Sequence, residues 1–93
     1  MDFSSLVRDY RSRQNASLRA FASALSENSL ESISYQSVKN WEDGIHTPKP
    51  MYLLSLALRF SDWRRNFALD ALAILKPELY QPDASIPETE VQK

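Results

Sequence analysis

The sequence predicts an all-α domain of five helices, and three features of the chain support that class. Apolar residues recur every three or four positions in successive segments, which is the spacing of one helix face. One glycine occurs among 93 residues, whereas a β-fold needs many tight turns that favour glycine. There is no cysteine, so neither disulfides nor thiolate metal sites hold the fold.

The first two helices are short and amphipathic. Residues 2–14 carry four apolar side chains at helical spacing, and the arginines lie largely off that stripe. Ser17 is a suitable N-cap for a second helix over residues 18–25, whose alanines allow another helix to approach closely. The connection that follows, residues 26–32, is polar and contains neither glycine nor proline.

The third helix, residues 35–43, is predicted to have one anchoring face and one polar face. Ser34 can cap its start, and Gly44 stands where a left-handed helix end favours glycine. Val38 and Trp41 lie three positions apart, so they share a face that would point into the core. The remaining faces carry hydrogen-bonding side chains, which is typical of a recognition element.

The fourth and fifth helices are predicted to support the third. Pro50 suits the first position of a helix, and residues 51–60 are apolar nearly all round, which predicts the central, most buried helix. Ser61 or Asp62 can cap a fifth helix over residues 62–76, which carries two adjacent apolar stripes. Because this arc is wider than one neighbour requires, it predicts a homodimer contact through four residues: Trp63, Phe67, Leu69 and Ile74.

The domain bounds, the net charge and the hydropathy of the chain indicate what kind of protein it is. The domain is placed at residues 1–80, and residues 81–93, rich in proline and acids, are interpreted as a disordered tail. A net charge of −1 averages a basic segment, residues 8–19, with this acidic tail. No apolar run approaches the ~20 residues of a membrane span, and the first residues lack a signal-peptide core. We therefore expect a soluble cytoplasmic protein.

The residues give no sign of catalysis. His46 is the single histidine and has no cysteine or second histidine as a metal-binding partner. Paired carboxylates, glycine-rich phosphate loops and nucleophile–base sets are absent from the sequence. We therefore expect no metal, no cofactor and no enzymatic activity.

The predicted order of elements is that of a helix-turn-helix domain, which has two short helices, a third with a free polar face, and supporting helices on either side. The residues resemble the phage-repressor-like (XRE-type, lambda-repressor-like) helix-turn-helix DNA-binding domains over roughly residues 6–58. The resemblance lies in SLRAFA at residues 17–22, ISYQSV at 33–38 and WEDG at 41–44. It continues through four later residues: Pro48, Leu53, Leu54 and Ala57.

The resemblance implies a sequence-specific transcriptional regulator, repressor-like and homodimeric, associated with the nucleoid. Its third helix would lie in the major groove of double-stranded DNA and read bases through Tyr35, Gln36, Lys39 and Asn40. Gln36 and Asn40 can offer a paired donor and acceptor to adenine. Phosphate contacts would come from six residues: Ser17, Arg19, Ser37, His46, Thr47 and Lys49.

Three positions depart from the family pattern. The connection over residues 26–32 is longer than the usual glycine-containing turn, Leu18 replaces a common glutamine, and Asp43 replaces a common asparagine. The alternative function is therefore a protein-interaction module of helix-turn-helix fold, such as an antitoxin or an accessory factor of a phage or mobile element. The arginines of the first helix likewise have two interpretations, as a solvated face or as an aid to DNA approach.

Overall fold

The computed structural model describes residues 2–27 and 32–78, and this part of the chain contains five α-helices and no β-strand. The all-α class is confirmed, and every helix end lies within one residue of its predicted position. Most of the predicted connection, residues 28–31, and the whole predicted tail, residues 81–93, lie outside the described residues. The helices are α1 (Phe3–Arg13), α2 (Leu18–Ser26), α3 (Tyr35–Glu42), α4 (Pro50–Arg59) and α5 (Trp63–Leu75).

The helices begin where short-range sequence signals place them. Ser17 and Ser34 are the N-caps of α2 and α3, and their side-chain oxygens accept hydrogen bonds from Ala20 N–H and Ser37 N–H. Pro50 occupies the first turn of α4, where its missing N–H leaves no helical bond unmade. Of the two candidates for α5, Asp62 is the cap. Side-chain caps thus account for the starts of α2, α3 and α5, and a proline marks the start of α4.

A glycine ends α3 by a Schellman motif. Gly44 has φ +76°, its N–H donates to Trp41 O at 3.2 Å, and Ile45 N–H donates to Asn40 O at 2.9 Å. A Cβ at residue 44 would lie 3.6 Å from Ser4 Oγ, an ordinary contact distance. The left-handed backbone, rather than lack of space, therefore favours glycine here.

The core is built around an aromatic cluster that joins three helices. Phe67 on α5 is fully buried, with ring centroids 5.5 Å from Tyr10, 5.8 Å from Phe21 and 6.3 Å from Phe3. Around it α1 packs on α3 and α5, α2 packs on α3, and α4 packs on α5. Helix α1 therefore packs between α3 and α5.

The prediction that α4 is the central, most buried helix is only partly right: four of its ten residues are buried, the largest share of the five helices, but the helix is not buried all round. Tyr52, Leu53 and Leu56 are buried on one side of α4, but Met51 is 73% exposed and Leu58 is 84% exposed. Hydrophobicity all round a helix commonly means burial all round. Here the outer face of α4 is apolar and still faces solvent.

Two polar contacts fix α5 against its neighbours. The Tyr10 hydroxyl donates to Asp70 Oδ2 at 2.6 Å, and burial together with this bond raises the pKa of Tyr10 to about 12. Arg64 donates to Ala24 O at 3.0 Å and to Glu27 Oε1 at 2.6 Å. It thereby gives a hydrogen-bond donor to a backbone carbonyl in the last turn of α2 and a positive charge to the carboxylate that follows it. These contacts tie α5 to α1 and to α2.

Candidate nucleic-acid interface

One face of α3 is anchored to the core, as predicted. Val38 and Trp41 are buried, and the Trp41 ring packs edge-on against Phe3 with centroids 6.0 Å apart. The Ser4 hydroxyl donates to Trp41 O at 2.9 Å. The polar residues Tyr35, Gln36 and Lys39 are consequently exposed on the other side. The proposed base-reading face is thus presented by a helix whose back is held by α1.

The end of α3 is also held by arginines of α1. Glu42 is buried, and its carboxylate accepts from Arg11 Nε at 2.5 Å and Arg11 Nη2 at 3.1 Å. Arg8 Nη2 donates to Glu42 O at 2.5 Å, and Arg13 pairs with Asp9 on its own helix. These contacts favour a structural role for the α1 arginines over contact with DNA.

Two of the proposed base readers are bonded to each other. Gln36 Nε2 donates to Asn40 Oδ1 at 3.1 Å, and Asn40 is half-buried while Gln36 is exposed. Within the described residues, no hydrogen bond occupies Gln36 Oε1 or Asn40 Nδ2. The pair therefore presents one acceptor and one donor side by side, which is the combination that the adenine edge requires.

The third polar side chain, Lys39, is held by an acid. Lys39 Nζ lies 3.0 Å from Asp43 Oδ2, four residues along the chain, and both side chains are close to half exposed. Such a pair contributes only a few tenths of a kcal/mol to a helix. It nevertheless cancels one of the positive charges on this face.

An arginine from α2 covers the start of α3. The Arg19 guanidinium lies over the Tyr35 ring, 4.1 Å from its centroid, and both side chains are exposed. Stacking leaves the edges of the guanidinium, which carry its N–H groups, open to an anion. Tyr35, a predicted base reader, and Arg19, a predicted phosphate contact, are therefore stacked on each other, and the sequence did not reveal this contact.

A groove beside the loop after α3 brings four of the six predicted phosphate residues together. A groove of about 370 Å³ lies between α3 and the start of α4. Trp41 and Tyr52 contribute to its lining, together with five residues predicted to contact DNA: Ser37, Asn40, His46, Thr47 and Lys49. Ser17 and Arg19 are not among the lining residues; they lie at the start of α2.

The residues predicted as a dimer contact on α5 are mostly used by the core. Phe67 has no exposed surface, so it is excluded as a contact with a second copy. Trp63 is half-buried against Phe21, with ring centroids 5.2 Å apart. Leu69 and Ile74 are also half-buried and pack on the core.

The comparisons with known proteins give no relative for this chain. No protein-family model, no curated protein and no solved structure matches it. Within residues 2–27 and 32–78, no helix is both long and apolar enough to cross a membrane. The same part of the chain contains no group of three or more side chains suited to hold a metal ion. The functional argument therefore rests on the chain's own surface.

Proposed function

We propose that this chain is a sequence-specific DNA-binding transcriptional regulator of the phage-repressor-like helix-turn-helix type, with α3 in the major groove. The observation that carries the proposal is the two-sided character of α3. Val38 and Trp41 hold its back to the domain, while Gln36 and Lys39 project from its front. A single helix fits the ~12 Å width of the major groove, and its outward side chains then meet base edges.

In this proposal the Gln36–Asn40 pair reads an adenine. The Oε1 atom of Gln36 accepts from adenine N6, and Asn40 Nδ2 donates to N7. Because the two amides already hold each other, little side-chain freedom is lost on binding. Lys39 reaches guanine or a phosphate after leaving Asp43.

The phosphate backbone would be held on both sides of α3. Arg19, supported on the Tyr35 ring, and the first turn of α2 offer N–H groups on one side. His46, Thr47 and Lys49 offer polar groups from the groove on the other. Phosphate contacts of this kind fix the register of the helix on the duplex, and base contacts then specify sequence. As a homodimer, the protein would span two half-sites ~34 Å apart.

Gln36→Ala and Lys49→Ala are expected to weaken DNA binding in different ways. After selection of bound duplexes from a random pool, Gln36→Ala lowers discrimination at a single base pair by roughly 1–3 kcal/mol. Lys49→Ala weakens binding to all sequences alike and reduces the salt slope by about one. The measurement is fluorescence anisotropy on the selected duplex and on single-base variants across a salt series. If the wild-type chain selects no consensus, and neither change affects binding at ~50 mM salt, the proposal is wrong.

Asp43→Asn is expected to strengthen DNA binding by about tenfold at low salt. The change removes a negative charge from the proposed DNA-facing side of α3 and releases Lys39 for a phosphate. Asp9→Asn is the matched control, because it removes one acid from an exposed pair with Arg13 at the same helical spacing on α1. Equal effects of the two changes would mean that α3 has no special proximity to DNA.

The Lys39–Asp43 pair also supports a second candidate, a protein-interaction module that uses the same face. With Lys39 neutralised and a net charge of −1, the chain has little long-range attraction for DNA. A salt titration on random duplex separates the two functions, because DNA binding weakens steeply as salt rises. Absence of any binding at ~50 mM salt favours the protein partner.

A further inference from the structure

The groove between α3 and the start of α4 has the size and the lining of a small-molecule site. Its volume of about 370 Å³ falls in the range of ligand pockets, ~300–1,000 Å³. The apolar part of its lining includes Ile33, Trp41, Met51 and Tyr52. DNA phosphates contact polar groups, so the proposed DNA contact makes no use of this apolar part.

The aromatic part of the lining is held in place by the core. Trp41 and Tyr52 are both almost fully buried. Phe3 packs against the Trp41 ring, and the Tyr52 hydroxyl donates to Leu25 O at 3.1 Å. Met51 lines the same groove but is largely exposed, and its flexible thioether favours contact with an aromatic ring. The groove is therefore preformed at its rings and adaptable at Met51, which suits a small aromatic group.

The polar part of the lining carries a positive charge. Lys49 is a cation, and none of the described lining residues is acidic. Within residues 2–27 and 32–78, no ion pair or hydrogen bond holds the Lys49 ammonium. His46 and Thr47, from the same loop, also line the groove. An anion in the groove would therefore meet an unpaired cation and no like charge.

We propose that the groove binds a small aromatic carboxylate, with its ring against Trp41 and Tyr52 and its carboxylate on Lys49. The ring uses the apolar lining, and the carboxylate uses the one described cation of the groove. Because the ligand is small and the groove is open to solvent, half-saturation is expected at roughly 0.1–1 mM. This binding does not depend on DNA.

The effect of the ligand on DNA binding rests on the proposed function. Five residues predicted to contact DNA line the same groove, and Lys49 is one of them. A bound carboxylate takes the cation that a DNA phosphate would use, so the ligand and the duplex exclude each other. By linkage, a compound that binds only the free protein weakens DNA binding. The aromatic carboxylate is then an inducer, which releases the regulator from its operator.

Tryptophan fluorescence tests the groove without DNA. Trp63→Phe leaves Trp41, in the groove, as the single tryptophan of the chain. Benzoate is expected to change its emission saturably, and benzamide, which has the same ring but no charge, to bind about fivefold more weakly. Circular dichroism confirms that the variant is folded, and calorimetric titration of the wild-type chain gives the same comparison without it. The absence of saturable benzoate binding up to ~10 mM, or equal binding of benzamide, overturns the proposal.

Lys49→Met tests the position of the carboxylate. It is expected to weaken benzoate binding about fivefold and to leave benzamide binding unchanged, because only benzoate loses an ion pair. Arg13→Met is the control, since it removes one positive charge outside the groove and is expected to leave both affinities unchanged. Equal effects of the two changes on benzoate overturn the assignment of Lys49.

Competition with the selected duplex separates this proposal from the proposed function. At ten times its half-saturating concentration, benzoate is expected to weaken duplex binding about tenfold relative to acetate at the same concentration, which matches the ionic strength. If benzoate binds but the chain binds no duplex, the groove site stands and DNA binding fails. If the chain binds the duplex but not benzoate, the groove site fails and DNA binding stands. If it binds both without competition, their mutual exclusion is overturned.

Discussion

Arg11→Met is expected to lower the free energy of unfolding by about 2–3 kcal/mol, because it leaves Glu42 buried without its main partner. The Glu42 side chain is only 10% exposed, and Arg11 supplies two of its hydrogen bonds. Arg11 Nη1 also donates to Ala16 O at 3.1 Å, so the turn between α1 and α2 loses a contact as well. Arg8 remains 4.0 Å from the carboxylate and compensates only in part.

The measurement is urea denaturation at neutral pH, and the same helix offers a matched control. Arg13 also pairs with an acid, Asp9, but both side chains are more exposed, so Arg13→Met is expected to leave stability almost unchanged. The double change Arg11→Met with Glu42→Leu is expected to recover most of the loss, because no buried charge is left unpaired. Equal losses for Arg11→Met and Arg13→Met would show that the contact does not hold α3.

The pair of Arg11 and Glu42 illustrates what the sequence could not predict. An arginine partner for Glu42 is a reasonable expectation, but the two residues are 31 positions apart. Their contact depends on how α1 crosses α3, and no short-range signal encodes that crossing. The caps at Ser17 and Ser34 and the glycine end of α3 were predictable, since each depends on bonds within a few residues.

At the candidate site, too, features within one helix could be predicted from the sequence, whereas contacts between helices could not. The identities of the polar residues on α3 follow from the spacing of Val38 and Trp41, since anchoring one face defines the other. The pairing of Lys39 with Asp43 follows an i,i+4 rule and could have been read from the sequence. The stacking of Arg19 on Tyr35 could not, because it depends on the packing of α2 against α3.

The sequence also did not reveal what covers the apolar faces of α4 and α5. Helical periodicity identifies an apolar face, but it does not say whether the domain or another chain covers that face. Thus α4 looked central and carries the exposed residues Met51 and Leu58, while the α5 stripe looked like an interface and contains the buried Phe67.

Phe67→Ala is expected to destabilise the fold by about 3–5 kcal/mol, which is a large part of the 5–15 kcal/mol typical of small domains. Its ring contacts Phe3, Tyr10 and Phe21, so truncation opens a cavity where α1, α2 and α5 meet. Phe67→Leu keeps most of the volume and is expected to cost about 1 kcal/mol, which leaves a folded variant to measure.

Thermal denaturation at several protein concentrations separates a core role for Phe67 from the dimer contact predicted from the sequence. A core role lowers the Tm of Phe67→Leu by about 4–8 °C at every concentration, because each molecule loses its own packing. An interface role would lower Tm only where the wild-type chain associates, since association raises apparent stability by mass action. Leu69→Ala, at a half-buried position of the same helix, is the control and is expected to show a smaller loss than Phe67→Ala. A concentration-dependent loss for Phe67→Leu would return the interface to α5 and contradict the burial that the aromatic cluster gives this residue.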